Sequence, residues 1–185
     1  MASDNFNRAN ENPLASPWST FISASWPGLD LVSNAVKNGE GSAQDTASIR
    51  LDSTELVSQC VVTTVGGRDG GPVICCDGSG NGYFLTNHDA TNLFIYRIAS
   101  GGYTQIASVA GVYQNNDVVK LRRSGNDIIA SINGGDVLAA INDTTFMTGS
   151  PGMLCFSDTI VLDDWTDGAD AGGGEVHYIE SLEVR

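Results

Sequence analysis

The chain has 185 residues, near the usual size of one domain, and 41% of them are hydrophobic against 17% charged, so it can bury a core and is not composed like a disordered chain. Acidic residues outnumber basic ones 22 to 9, for a net charge of -13 with Lys37 and Lys120 the only lysines, which argues against capture of nucleic acid or of an anionic membrane. No apolar run approaches the roughly 20 residues of a membrane-spanning helix, and the opening MASDNFNRAN lacks the basic and apolar regions of a signal peptide, so neither membrane insertion nor export by that route is expected.

With 22 glycines and Asp favoured over Glu, turn residues are abundant and helix formers scarce, so the chain reads as all-β. A short strand is expected over residues 4–8, then a polar loop through Asn12, Pro13 and Pro17 that ends at Trp18. Residues 48–52 alternate polar with apolar, the period of a strand with one wet face. The β-branched run 56–65 belongs inside a sheet; glycines break it at 66–71, a strand resumes over 72–77, and the turn at 78–82 leads into Tyr83, Phe84 and Leu85. Residues 93–99 and 103–109 form a hairpin about Gly101 and Gly102. Val119 and Leu121 alternate with charges, Ser124 to Asn126 turns the chain, and Ile128, Ala130 and Ile132 alternate back. A second turn, at Asn133 to Gly135, leads into Val137, Ala139 and Ile141, completing three successive antiparallel strands. After a turn at 149–152 come strands at 153–156 and 160–162, an acidic glycine-rich loop, and a last strand over 176–184. There Glu180 shares a face with Val176, Tyr178, Leu182 and Val184 and needs an ion-pair partner or a ligand. Many short strands without helical periodicity or internal repeat mean a sandwich or barrel, as a single domain over residues 1–185.

Chemistry-bearing motifs are few. Cys60, Cys75, Cys76 and Cys155 have neither Cys-x-x-Cys spacing nor a histidine cluster, so four buried thiols are expected rather than zinc ligands. His88 and His177 stand in no nucleophile motif, and no phosphate-binding glycine loop is present. No cofactor motif appears; calcium is the one inorganic ligand that clustered Asp and Asn suit. Asp77, Ser79, Asn81 and Gly82 open like an EF-hand loop, but His88 stands where the bidentate Glu belongs, and the segment reads as a tight turn. Asp163, Asp164, Asp167 and Asp170 gather before Glu175, with Ala169 where an EF-hand needs glycine, leaving a non-EF calcium site or a solvated acidic loop. A sugar needs an aromatic platform beside polar groups; Trp26, before Pro27 and Gly28, and Tyr103, in its hairpin, are the loop aromatics placed to offer one, while Trp18 and Trp165 read as core plugs.

The opening Asp4-Asn5-Phe6-Asn7-Arg8-Ala9 followed by Trp18, then Asn81-Gly82-Tyr83, Leu121 to Asn126, Ile132-Asn133-Gly134, Gly149 to Gly152 and Leu162-Asp163-Asp164-Trp165, occur in an order that resembles concanavalin A-like, laminin G-like jelly rolls. The resemblance spans almost the whole chain and implies a two-sheet antiparallel jelly-roll sandwich with its first and last strands adjacent. That would set residues 4–8 against 178–184 and bring Asp4 to Asp163 and Asp164 as a third calcium ligand. Such folds serve lectins, glycan-binding modules, glycosidases and bacteriophage virion proteins, so the fold leaves function open. The Glu-x-Asp-x-Glu strand of the glucanases is absent, and Glu175 and Glu180 point to opposite faces of one strand, which disfavours hydrolysis.

The resulting expectation is a non-enzymatic bacteriophage virion structural protein, made in the bacterial host cytoplasm, that decorates the capsid or forms part of a tail or fibre. Its partners would be other virion proteins and copies of itself, with contact to host glycans. The alternative is a monomeric lectin-like carbohydrate-binding module, and the third reading a glycoside hydrolase with an unrecognised carboxylate pair.

Overall fold

Strand alternation resolves into two antiparallel sheets in the computed structural model, which describes residues 1–21, 28–38, 46–65, 70–87, 89, 91–156 and 159–168. One sheet comprises β1 (Ser3–Asp4), β3 (Leu29–Val32), β4 (Ala35–Asn38), β6 (Val57–Thr64), β11 (Asp117–Ser124), β12 (Asp127–Ile132), β13 (Gly135–Ala140) and β15 (Val161–Thr166). Its order is β13-β12-β11-β6-β15-β4-β3, with β1 paired to β15. The other comprises β2 (Trp18–Thr20), β5 (Thr46–Arg50), β7 (Gly70–Cys76), β8 (Gly82–Thr86), β9 (Asn92–Ala99), β10 (Gly102–Ala110) and β14 (Ser150–Cys155), in the order β10-β9-β8-β7-β14-β5-β2. No helix occurs among the described residues, and the architecture is the expected all-β jelly-roll sandwich.

The core lies between the sheets, filled by the inward half of each alternating strand: Tyr83 and Leu85 of β8, Leu93 and Ile95 of β9, Val119 and Leu121 of β11, Ile128 and Ala130 of β12. Burying each such aliphatic or aromatic side chain contributes about 1.5–3 kcal/mol. Polar links also cross this layer: the buried Ser58 hydroxyl of β6 donates to the Gly152 carbonyl of β14 at 2.6 Å and accepts the Trp165 indole N–H at 2.9 Å, and the Leu29 N–H of β3 donates to the Ser48 hydroxyl of β5 at 3.0 Å. Gly152 must be glycine, because a Cβ there would lie 2.1 Å from the Ser48 carbonyl oxygen of β5.

The hairpins read from the sequence form as expected. The four cysteines are buried thiols, and Asp77 folds its own tight turn by accepting the N–H groups of Ser79 at 2.9 Å and Asn81 at 3.1 Å. The first strand is shorter than expected and stops at Asp4, since the Asp4 carboxylate accepts the Phe6 N–H at 2.9 Å and Phe6 takes a positive φ of 52°. Its neighbour is β15, with Ser3 opposite Thr166 and Asp4 opposite Trp165; residues 176–184, with Glu180, lie outside the described residues. Residues 163–165, read as part of an acidic loop, instead continue β15, with an irregular register against β6 between Asp163 and Thr166 and a φ of 46° at Asp164. Strands β2, β3 and β4 had no counterpart in the sequence reading.

Candidate functional site

The seven-stranded sheet is apolar on both faces. On β8 and β9, Tyr83, Leu85, Leu93 and Ile95 point into the sandwich, which by the two-residue period turns Phe84, Phe94, Tyr96 and Ile98 to the outer face. Phe84 and Ile98 belong there to a second buried cluster with Phe21, Ala47, Ile49, Val73, Cys76 and Leu154, against which Tyr96 and Phe156 pack. The aromatic rings form a continuous row. Phe84 stacks on Tyr96 at 6.5 Å and on Phe156 at 6.3 Å; Phe94 lies 5.8 Å from Tyr96; Tyr103 meets Tyr96 edge-on at 6.2 Å and Phe156 at 5.6 Å. Phe84 is 1% exposed and Tyr103 36%, so the row runs from a buried floor to an exposed rim at β10. Gln105, directly opposite Tyr96, places a primary amide on the same face and donates to the Ser108 hydroxyl at 3.4 Å.

Charge is segregated between the sheets. Although the chain carries 22 acidic residues, the seven strands of this sheet contain no Asp or Glu, and their charged residues are Arg50 and Arg97 alone. Aromatic rings beside a neutral amide and hydroxyls can stack on the apolar face of a ligand and hydrogen-bond its edge. They supply no paired carboxylates for acid–base chemistry.

A buried network fixes β8 behind this face. Tyr83 donates its hydroxyl to Asp143 at 2.6 Å and accepts the Phe146 N–H at 3.1 Å. Arg123 of β11, 7% exposed, donates to the carbonyls of Asp143 at 3.0 Å and Phe146 at 2.6 Å and lies over the Tyr83 ring. Arg97 closes the group through Asp143 at 3.1 Å. Burial and the Asp143 charge push the Tyr83 hydroxyl pKa up; the Asp143 carboxyl is opposed by burial, yet the Tyr83 and Thr145 donors hold it below its ordinary value.

Of the residues singled out from the sequence, Tyr103 takes the exposed end of the aromatic row, and Trp26 lies outside the described residues. Trp18 and Trp165 are core plugs, 4% and 1% exposed, packed edge to face at 4.9 Å with the Arg50 guanidinium over both rings. Asp4 and Asp164 line one open recess of about 440 Å³ with Ser3, Asn5, Trp165 and Thr166. Burial, then the charges of Asp164 and Asp4, raises the Asp163 carboxyl pKa. Asp4, however, is already committed: one oxygen accepts from Phe6 and from Arg8 at 2.6 Å, the other accepts the Trp18 indole N–H at 2.8 Å. Among the described residues no three His, Cys, Asp or Glu side chains form a metal-holding group. Asp167, read as part of the acidic loop, is 2% exposed and ties the chain start down by accepting the Ala2 N–H and the Ser53 hydroxyl.

Phe84, Phe94, Tyr96 and Phe156 escaped the sequence reading. For Phe94 and Tyr96 the signal lies in 93–98, an apolar run broken only by Arg97, which marks a strand covered on both faces rather than a half-wet one; Phe84 and Phe156 lie outside that run.

No protein-family model and no curated protein matches the chain. Solved structures do. The carbohydrate-binding module CBM66 from Bacillus subtilis superposes with a TM-score of 0.58 at 15% identity, over 80% of this chain and 91% of that one. A Bacillus subtilis protein of unknown function with a galectin-like fold gives 0.57 at 11% identity, over 85% and 96%. A prokaryotic β-1,3-1,4-glucanase (lichenase) derived from a mouse hindgut metagenome gives 0.51 at 9% identity, again over 85% and 96%. At these identities the likeness defines the fold: a galectin-like, concanavalin A-like jelly roll.

Proposed function

We propose that the chain is a lectin-like carbohydrate-binding module that takes a neutral glycan on the outer face of its seven-stranded sheet. The observation that carries this reading is the continuous aromatic row ending at exposed Tyr103, on a sheet without a single acidic residue. A sugar ring stacks its C–H face on an aromatic and hydrogen-bonds its hydroxyls to groups such as the Gln105 amide and Ser108 hydroxyl. Repulsion by the net charge of -13 disfavours uronate-rich or sulfated chains. The missing carboxylates favour binding over hydrolysis. The likeness to a carbohydrate-binding module supports the reading at the level of fold.

Electrophoresis of the native protein through gels containing one polysaccharide each tests it. Retardation by a neutral polysaccharide, reduced in Tyr103→Ala, is expected. Equal mobility in every gel contradicts it. The virion role rests on the sequence resemblance, and mass spectrometry of purified phage particles is its test.

A further inference from the structure

A two-sheet sandwich has four edges, and here three of them are guarded. The outer edge of β3 is occupied by the incoming chain: Glu11 and Leu31 exchange both backbone hydrogen bonds, at 3.1 and 2.9 Å, and Leu14 donates to the Leu29 carbonyl at 2.8 Å. β2 is three residues long, and β13 carries Asp136, held by Arg122 at 2.9 Å. The fourth, β10, runs nine residues with no charged residue and no proline. Charge, proline, brevity and bulges are the usual protections of an edge, and β10 has only the last, a single bulge between Gln105 and Ala107 that leaves pairable main-chain groups on either side of it.

The hairpin fixes which main-chain groups β10 offers. Gly111 donates to the Thr91 carbonyl at 2.8 Å, so by antiparallel alternation the pairs Val109–Leu93 and Ala107–Ile95 exchange hydrogen bonds inward, while Ser108 and Ala110 turn theirs outward. At the other end the Ser100–Gly101 turn, with φ of 50° and 78°, sets Gly102–Ala99 and Thr104–Arg97 as bonded pairs, which turns Gln105 outward.

We propose that β10 is the seam of a dimer, in which two copies of this chain pair antiparallel along this edge through the main-chain groups of Gln105, Ser108 and Ala110. Charge selects a second copy. Two chains of net charge -13 repel wherever their acidic surfaces meet, but this edge brings together two sheets that hold no Asp or Glu. β13, which carries the 38%-exposed Val137, packs across the sandwich rim from β10. A two-fold axis perpendicular to the sheet joins two seven-stranded sheets into one and sets both aromatic rows on the same side. The dimer stands independently of glycan binding, and where a glycan binds it makes the module bivalent.

Sedimentation equilibrium over a concentration series tests this with the whole chain, alongside Ser108→Pro, which removes an outward donor, and Gln105→Asp, which sets acid against acid. The wild type should reach twice the 19.4 kDa chain mass, and each variant should weaken the dimer by about tenfold or more, as loss of one or two seam hydrogen bonds requires. Should a variant lose its β-sheet circular dichroism, amide exchange in the wild type decides instead: the Gln105, Ser108 and Ala110 amides should exchange more slowly as concentration rises. A wild type that stays monomeric at its highest soluble concentration overturns the proposal. So do folded variants that associate as tightly as wild type, and exchange at these three amides that is independent of concentration.

Discussion

Replacing Asp4 by Ala should destabilise the sandwich more than any exposed carboxylate could. Its oxygens accept from the Trp18 indole at 2.8 Å, the Phe6 amide at 2.9 Å and Arg8 at 2.6 Å, with Arg50 at 3.9 Å. The Arg8 pair is worth little, because Arg8 is 35% exposed and keeps Glu11. Arg50 is 8% exposed but keeps Asp52 at 2.8 Å. The main loss is the Trp18 indole N–H, left without an acceptor in a residue 4% exposed, which costs about 1–3 kcal/mol, and the freed Phe6 amide brings the total to about 3 kcal/mol. With a urea slope of about 2 kcal/mol/M, the midpoint should fall by about 1.5 M. Tryptophan fluorescence reads this directly, since Trp18 and Trp165 are both in the affected cluster. The loss should also depend on pH. Burial opposes the charge on Asp4, but the Trp18, Arg8 and Phe6 donors outweigh it and hold the carboxyl below its ordinary pKa. Its stabilisation is therefore complete above the unfolded carboxyl pKa and fades as pH falls through the folded one. A variant within about 0.5 kcal/mol of wild type at pH 7, below the range for an unsatisfied buried donor, would show that Asp4 does not hold the Trp18 indole in this way. A difference that persists undiminished well below the folded pKa refutes the protonation argument.

Gly152→Ala should lower the melting temperature sharply, as overpacking costs about 1–3 kcal/mol, because its Cβ would meet the Ser48 carbonyl at 2.1 Å. Asp163→Asn should raise stability at neutral pH and leave it unchanged below pH 3: with its folded pKa raised, ionised Asp163 removes stability as pH climbs from the unfolded to the folded value. Calorimetry of the same variant with calcium and with chelator tests the calcium expectation, which requires a calcium-dependent rise in the wild-type melting temperature that the variant lacks. The four thiols, whose pKa burial pushes up in Cys60, Cys75, Cys76 and Cys155, should resist Ellman's reagent in the native protein and all react in guanidinium.

Local pattern carried the fold a long way. The run from Val119 to Ile132 announced β11 and β12 because each strand has one wet face, and the turns at Ser124–Asn126 and Asn133–Gly135 carry their own punctuation; β13 follows as expected but packs Leu138 and Ala140 inward, leaving Val137 and Ile141 of the alternating apolar set 38% and 64% exposed. In β8 both faces are covered and no alternation shows, so the outward ring of Phe84 lies hidden in a plain apolar stretch; β5 alternates, yet it too is buried on both faces rather than wet on one, because its polar positions Ser48 and Arg50 are themselves buried. β3 and β4 were hidden differently: four residues each, joined at Ser33 and Asn34 with positive φ, they carry too few residues to show a period. Tyr103 was legible as exposed because it follows a glycine turn; that Tyr96 and Phe156 meet it depends on β9 and on the end of β14, the latter 53 positions on in sequence, and pairing at that distance leaves no local trace. Asp4 was legible as an acid near Asp163, but its engagement by Trp18 and Arg8 is a product of tertiary packing.

Isothermal titration with the neutral polysaccharide that retards the protein most, comparing wild type with Tyr103→Ala, measures whether the aromatic row binds glycan. Saturable binding by the wild type is expected, with a loss of about tenfold or more in the variant, as removal of one stacking aromatic implies, and no change in its urea midpoint beyond that expected at a rim position. Equal affinity in the two proteins, or binding of anionic polysaccharides in preference to neutral ones, contradicts a neutral-glycan site on this face.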